Sequence, residues 1–210
     1  FNVLCALTLN AITLSRDKMM QKTTFTFLIA GLGNPGRQYR HNRHNVGFMV
    51  VDALVDHLKA KFSKMEMDAL VTKVRYQGHR VILAKPQTYM NNSGRPIRSL
   101  VNFYKLPLEN LLVVYDDVDL PFDTLRLRPS GGSAGQKGMK SIIAEIGSQE
   151  FPRLRVGIGR PPGRMPVSAY VLQDFSDTEA ETLTFILEEA VQAILIYLSE
   201  GIEQAMSKHN

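Results

Sequence analysis

Four polar residues in this chain have side chains suited to acyl transfer by water: His44 in "RHNVGF", Asp116 closing "LLVVYD", Asn34 in "GLGNPG" and Asn91 in "TYMNNSG". Imidazole titrates near neutrality and can take a proton from water. Of the histidines (His41, His44, His57, His79 and His209), His44 stands where a glycine-rich loop meets an apolar helix. At a helix start the positive end of the macrodipole favours neutral imidazole, the proton-accepting form. A carboxylate such as Asp116 can fix the tautomer and stabilise the imidazolium. Carboxamides at Asn34 and Asn91 can donate to a carbonyl oxygen and accept from a peptide N–H. Such a set fits a water-activating acyl hydrolase with neither metal nor covalent nucleophile.

These residues are useful only if the fold brings them together. "TFLIA" reads as a buried strand, and the apolar positions from Val46 to Phe62 repeat at helical spacing. "LVTKVRY" and "HRVILAK" flank Gln77-Gly78 as a hairpin would. Ser93 is placed to cap a helix running to Lys105, followed by a core strand in "NLLVVYD". "TLRLR" reads as a strand of alternating character, "PSGGSAGQKG" as a loop, about Met139 to Ile146 as a helix and "RLRVGIG" as another strand. Ser176 and Glu179 form a capping box opening a long final helix. Strands alternating with helices predict a single α/β domain, a twisted and mostly parallel sheet flanked by helices. Asn34, Asn91 and Asp116 all fall after strands, so parallel neighbours would gather them on one rim, where such folds bind ligands.

Two motifs invite other readings. Gly31, Gly33 and Gly36 match G-x-G-x-x-G, yet Pro35 and the polar "RQYRHNRHN" follow, and the apolar helix begins only near Val46. A dinucleotide's phosphates would have no helix start to rest on. The glycines are better read as shaping a tight loop, and no cofactor is expected. "GGSAG" matches the G-x-S-x-G nucleophile elbow around Ser133. Its chemistry needs a later histidine, and the one that follows is His209, expected to be frayed at the chain end.

The 210 residues carry 25 Lys and Arg against 20 Asp and Glu, a net charge of +5 that points toward an acidic partner. The charges are segregated. Arg126, Arg128, Lys137, Lys140, Arg153, Arg155, Arg160 and Arg164 face only Glu145 and Glu150 in their stretch, whereas Met165 to Ser207 contains acids and no Lys or Arg. One face should attract polyanions. The single cysteine, Cys5, excludes a disulfide framework and a thiolate metal site, which fits a reducing, cytoplasmic setting. The apolar residues 1–20 lack a basic leader and are interrupted by Asn2, Thr8, Asn10 and Thr13, a poor fit to a signal peptide or a membrane span. With Met19-Met20 just downstream, they read as an extension before a domain of residues 21–210.

In order and spacing, "GLGNPGRQYRHNRHNVGF", "KPQTYMNNSG", "VVYDDVDLP", "GGSAGQKGMKSI" and "FPRLRVGIGRP" resemble the bacterial-type peptidyl-tRNA hydrolases, from about Phe25 to beyond Asp174. The resemblance implies a monomeric enzyme cleaving the ester between a peptide and the tRNA 3′ end, with peptidyl-tRNA as its partner, no membrane and no protein-bound metal. It implies that His44 is the general base, that Asp116 orients it, and that Asn34 helps distinguish blocked from free aminoacyl groups. Tyr39, Tyr89 and Asn91 correspond to substrate contacts, and Arg128 and Arg155 to basic positions that grip the tRNA 5′ phosphate. Asp117 and Asp119 are then turn and loop residues rather than magnesium ligands. One departure is notable: Gln136-Lys137 stands where many members read His-Asn. Lys137 keeps a place in the substrate site, but an ammonium only donates hydrogen bonds, so peptide selectivity is in question. The competing reading is an RNA-binding relative without turnover, of the kind recruited to organellar splicing.

Overall fold

A computed structural model describes residues 24–210. The expectations for residues 1–20, their status as an extension and the setting of Cys5, lie outside the described residues. Seven strands form one sheet in the order β2-β3-β4-β1-β5-β7-β6. They are β1 (Thr26–Gly31), β2 (Lys64–Glu66), β3 (Ala69–Tyr76), β4 (His79–Pro86), β5 (Leu111–Asp117), β6 (Leu125–Arg128) and β7 (Arg153–Gly157). The central β4, β1, β5 and β7 run parallel, and β2, β3 and β6 pair antiparallel at the two edges.

Helices cover both faces: α1 (Val46–His57), α2 (Gly94–Tyr104), α3 (Lys137–Ile146), the short α4 (Val167–Tyr170), α5 (Asp177–Glu200) and α6 (Ile202–His209). The period-2 alternation of strand side chains divides the core in two. Phe27, Ile29, Leu112, Val114, Leu154 and Val156 pack against α1 and α5. Leu28, Ala30, Leu111, Val113 and Tyr115 pack against α2 and α3. The acid-rich α5 and the base-bearing α3 therefore cover opposite faces, which is where the charge segregation ends up. By length and composition α5 could cross a membrane. Here its apolar side, including Ile186, Ala190, Val191, Ile194 and Leu198, lies in the core.

Several local expectations need correction. Helix α1 stops at His57 rather than reaching Phe62, because Lys59 turns left-handed (φ 52°) and Ala60 N–H bonds back to the Val55 carbonyl at 2.9 Å. Ser93 precedes α2 but does not cap it. The chain is already helical through Met90–Asn92, and the Ser93 hydroxyl donates to the Met90 carbonyl at 2.9 Å. Helix α3 starts two residues before Met139, with Gln136 as its cap. His209 is not frayed: it sits in α6, mostly buried, with Nδ1 3.1 Å from Glu189 Oε2 on α5. Strand β2 and helix α4 are too short for periodicity to reveal.

The hairpin and the capping box match expectation. Gln77 and Gly78 both take positive φ, the two-residue turn that suits the strand twist. Ser176 and Glu179 close the box at the start of α5.

A candidate active site at the carboxyl ends of the parallel strands

From β1 the chain crosses to β4 on one side and then to β5 on the other, so the switch in strand order falls beside β1. A crevice of about 990 Å³ opens there. Asp116 is two residues beyond Val114 on β5 and shares its face, the α1 side. His44 lies in the 3₁₀ turn Arg43–Asn45 that feeds α1. The two meet: His44 Nδ1 is 2.8 Å from Asp116 Oδ2. Both are buried, His44 9% and Asp116 3% exposed. With a carboxylate as acceptor, Nδ1 carries the proton and Nε2 remains the basic nitrogen.

This approach depends on Gly31 and Gly47. A Cβ on Gly47 would sit 2.4 Å from the Val114 carbonyl oxygen, and one on Gly31 2.2 Å from the Gly47 carbonyl oxygen. Two bare backbones let the first turn of α1 settle onto the ends of β1 and β5. The glycines of "GLGNPG" thus shape the approach of helix to sheet, in keeping with the tight-loop reading.

The loop behind them fixes Asn34. Its backbone N–H donates to Asn45 Oδ1 at 2.8 Å, and Asn45 Nδ2 donates back to the Asn34 carbonyl at 2.9 Å. Asn34 Oδ1 accepts from Met90 N–H at 2.9 Å, which assigns Oδ1 to the backbone and leaves the Nδ2 hydrogens for the crevice. Asp116 uses its second oxygen as well: Oδ1 accepts from Gln136 Nε2 at 3.0 Å. Beside it, Tyr115 is fully buried, and burial pushes its phenol up to about 12, so it stays protonated behind the site.

Of the residues singled out from sequence, Asn34, His44, Tyr89, Asn91, Asp116 and Lys137 line this one crevice. Tyr89 is exposed at its mouth, and Lys137 is exposed at the first position of α3. Tyr39 does not line it and lies half-buried in the neighbouring turn Arg37–Tyr39. Arg128 and Arg155 do not line it either. They share the face of the β6–β7 edge that carries Arg126 and Arg153, which stand opposite Arg155 and Arg128 in register. The Arg155 side chain is 21% exposed and gives Nε to Asp117 Oδ2 at 2.5 Å, and among the described residues its terminal nitrogens have no acceptor. Burial opposes its charge, but the bond to Asp117 and that carboxylate's field outweigh burial and hold the guanidinium above its ordinary range. Asp117 Oδ1 accepts from Asp119 N–H at 2.8 Å and Asp119 pairs with Arg160, the turn-stabilising parts expected of both. Among the described residues no group of three or more His, Cys, Asp or Glu could hold a metal. Ser133 is outside the crevice wall, though its neighbours Ala134 and Gly135 line it.

Sequence reasoning missed Asn45 and Arg43. Asn45 was readable only as a polar residue beside His44, because its partner is the backbone of Asn34. Arg43 is almost fully buried, a placement its charge would argue against without the knowledge that Glu179 and the Asp174 carbonyl wait for it.

The sequence pattern described as peptidyl-tRNA hydrolase matches residues 28–210. The peptidyl-tRNA hydrolase of Thermoanaerobacter sp. is 46% identical over 184 residues, covering 88% of this chain and 99% of that one. The peptidyl-tRNA hydrolase of Carboxydothermus hydrogenoformans is 50% identical, covering 88% and 98%. This chain belongs to the peptidyl-tRNA hydrolase family. The crystal structure of the Acinetobacter baumannii peptidyl-tRNA hydrolase superposes with a TM-score of 0.82 at 32% identity, over 87% of this chain and 93% of that one. Family membership therefore extends to the α/β architecture that frames the crevice.

Proposed function

We propose that this peptidyl-tRNA hydrolase family member cleaves the ester joining peptide to tRNA by a water that His44 activates. The observation that carries the mechanism is the 2.8 Å bond between His44 Nδ1 and Asp116 Oδ2, buried at the floor of a crevice open to solvent. His44 Nε2 takes a proton from water as its oxygen bonds to the ester carbonyl carbon, and Asp116 stabilises the imidazolium that results. Asn34 Nδ2 donates to the carbonyl oxygen as charge builds on it. The tetrahedral intermediate then expels the ribose oxygen, which takes the proton back from His44. The products are a peptide with a free carboxyl group and tRNA with a free terminal hydroxyl.

The rim fits a peptide on one side and a polyanion on the other. Tyr89, Val167 and Leu172 are exposed apolar surface at the mouth. Asn91 offers a carboxamide to peptide groups, and Lys137 a cation to a carboxylate or phosphate. Arg128 and Arg155 on the β6–β7 edge suit the tRNA 5′ phosphate, since Arg155 keeps donors free beside Asp117. Every group in this reading comes from one chain, in keeping with a cytoplasmic monomer that meets its substrate where tRNA is used. Lys137, which stands where many family members carry Asn, lines the same crevice as the histidine–aspartate pair.

The test is release of peptide from an N-blocked aminoacyl-tRNA by the purified protein. His44→Ala should lose about 10²–10⁴-fold in rate, the usual effect of removing a general base. Equal rates for wild type and His44→Ala would rule the mechanism out.

A further inference from the structure

We propose that Gln136 is a positioning residue of the reaction: its side-chain amide holds the Asp116 carboxylate in the orientation that serves His44, and thereby couples the start of α3 to the general base. The inference rests on the hydrolytic reading above.

Gln136 is the cap of α3 and only 9% exposed. Its Oε1 accepts from Met139 N–H at 2.7 Å, and its Nε2 donates to Asp116 Oδ1 at 3.0 Å while lying 3.2 Å from Met90 Sδ. A backbone N–H can only donate, so the Met139 contact decides which end of the amide is oxygen. Turning the amide over would set NH₂ against that N–H and point Oε1 at the Asp116 carboxylate. The orientation is thus fixed by the helix and passed on to the aspartate. Asp116, 3% exposed, has one oxygen on His44 and the other on Gln136. With both oxygens engaged, the carboxylate cannot swing about its last torsion without breaking a charge-assisted hydrogen bond. Removing the amide would leave Oδ1 buried without that donor and Oδ2 free to drift from Nδ1.

Gln136→Glu separates this role from capping. Its carboxylate keeps an oxygen for Met139 N–H, and a negative charge suits a helix N-terminus. The second oxygen, however, would face Asp116 Oδ1, and two carboxylates at that spacing share a proton. The charged groups that line the crevice with it are His44 from the turn before α1, Asp116 and Asp117 at the end of β5, Asp119 just beyond β5, Lys137 on α3 and Arg160 in the loop after β7, with Arg155 on β7 paired to Asp117. Met90 forms the remaining wall.

On N-blocked aminoacyl-tRNA, Gln136→Glu should lose about 10- to 100-fold in kcat near pH 8, the scale of one hydrogen bond to a charged group. KM should change less than about threefold, since both Nε2 hydrogens are directed at Asp116 and Met90 and Oε1 is held by Met139 N–H. The variant's rate relative to wild type at the same pH should recover toward about pH 6, where the shared proton lets the new carboxyl donate to Asp116 as the amide does now. A purely structural cap predicts wild-type kcat and an unchanged pH profile, and that result would overturn the proposal. Should the variant fail to fold, the wild-type protein answers instead: the Gln136 Nε2 hydrogens, followed by ¹⁵N NMR, should exchange with solvent at least about tenfold more slowly than those of free glutamine. Unprotected exchange would equally overturn it. Absence of cleavage by the wild type would count against the hydrolytic reading, whereas the exchange measurement reports on the Gln136–Asp116 contact whatever the activity.

Discussion

Arg43 and Glu179, 136 residues apart in sequence, are joined by a bond of 2.7 Å from the guanidinium NH2 to Oε2. The same Glu179 oxygen accepts from Ser176 N–H at 2.7 Å, so the turn that carries His44 is pinned to the capping box of α5. Arg43 NH1 also donates to the Asp174 carbonyl at 2.6 Å, and the guanidinium lies 4.5 Å from the centre of the Tyr170 ring. The turn that carries His44, the proposed general base, is therefore held in place by the last third of the chain.

Arg43→Ala should destabilise the fold and slow catalysis together. Stripping one partner from a buried pair costs about 3–5 kcal/mol, and the lower end applies because Glu179 keeps its bonds to Ser176. Denaturant midpoints should fall accordingly. kcat should fall more than KM rises, because Arg43 does not line the crevice and acts only through the placement of His44. A variant with an unchanged denaturation midpoint would show that the bond contributes little.

Asp116→Asn should abolish most activity without unfolding the protein. The introduced amide must turn its oxygen toward Gln136 Nε2, which donates, and so its NH₂ toward His44 Nδ1. That drives the imidazole to the wrong tautomer, with its proton on Nε2, the nitrogen that should accept one from water. A fall of up to about 10⁴ in kcat is expected, with a near-constant melting temperature. Full activity in a single-turnover assay would contradict the assignment of the pair.

Gly47→Ala adds one methyl where none fits. The new carbon would stand 2.4 Å from the Val114 carbonyl oxygen and 2.6 Å from Leu32 N, so α1 must lift off the sheet. Overpacking of this kind costs about 1–3 kcal/mol. Because His44 lies in the turn that feeds α1, peptide release should fall by more than the loss of folded protein explains. Thermal melting and kcat measured on the same sample would show the two effects.

Acid should remove a stabilising contribution made by Glu66. A bond from Lys73 Nζ at 2.7 Å and one from the Tyr104 hydroxyl hold its carboxyl down from 4.5 to about 2, against the opposing effect of burial. A group depressed in the folded state stabilises fully above its unfolded pKa, and that stability fades as pH falls through the folded value. The melting temperature of wild type should exceed that of Glu66→Gln most near neutrality. The gap should narrow below pH 4.5 and be nearly closed by pH 2. A gap independent of pH would mean that packing, rather than charge, is what the substitution removes.

Periodicity and spacing determined much of this protein. The alternating strands and helices, the Gln77-Gly78 hairpin and the Ser176 box are decided by neighbours within a few residues, so sequence alone could place them. The rim that gathers Asn34, Asn91 and Asp116 follows from parallel strands ending together, and His44 from its place at the start of α1. What only the tertiary structure decided is which atoms meet. The approach of His44 to Asp116 depends on the close contact of Gly31 with Gly47, and the orientation of the Asn34 amide on Met90 N–H. The burial of Arg43 depends on Glu179, and the second bond of Asp116 on Gln136. These contacts join residues from 16 (Gly31 and Gly47) to 136 (Arg43 and Glu179) positions apart. Local pattern carries no signal for such pairs, because their energy exists only once the two halves of the core have closed around the sheet.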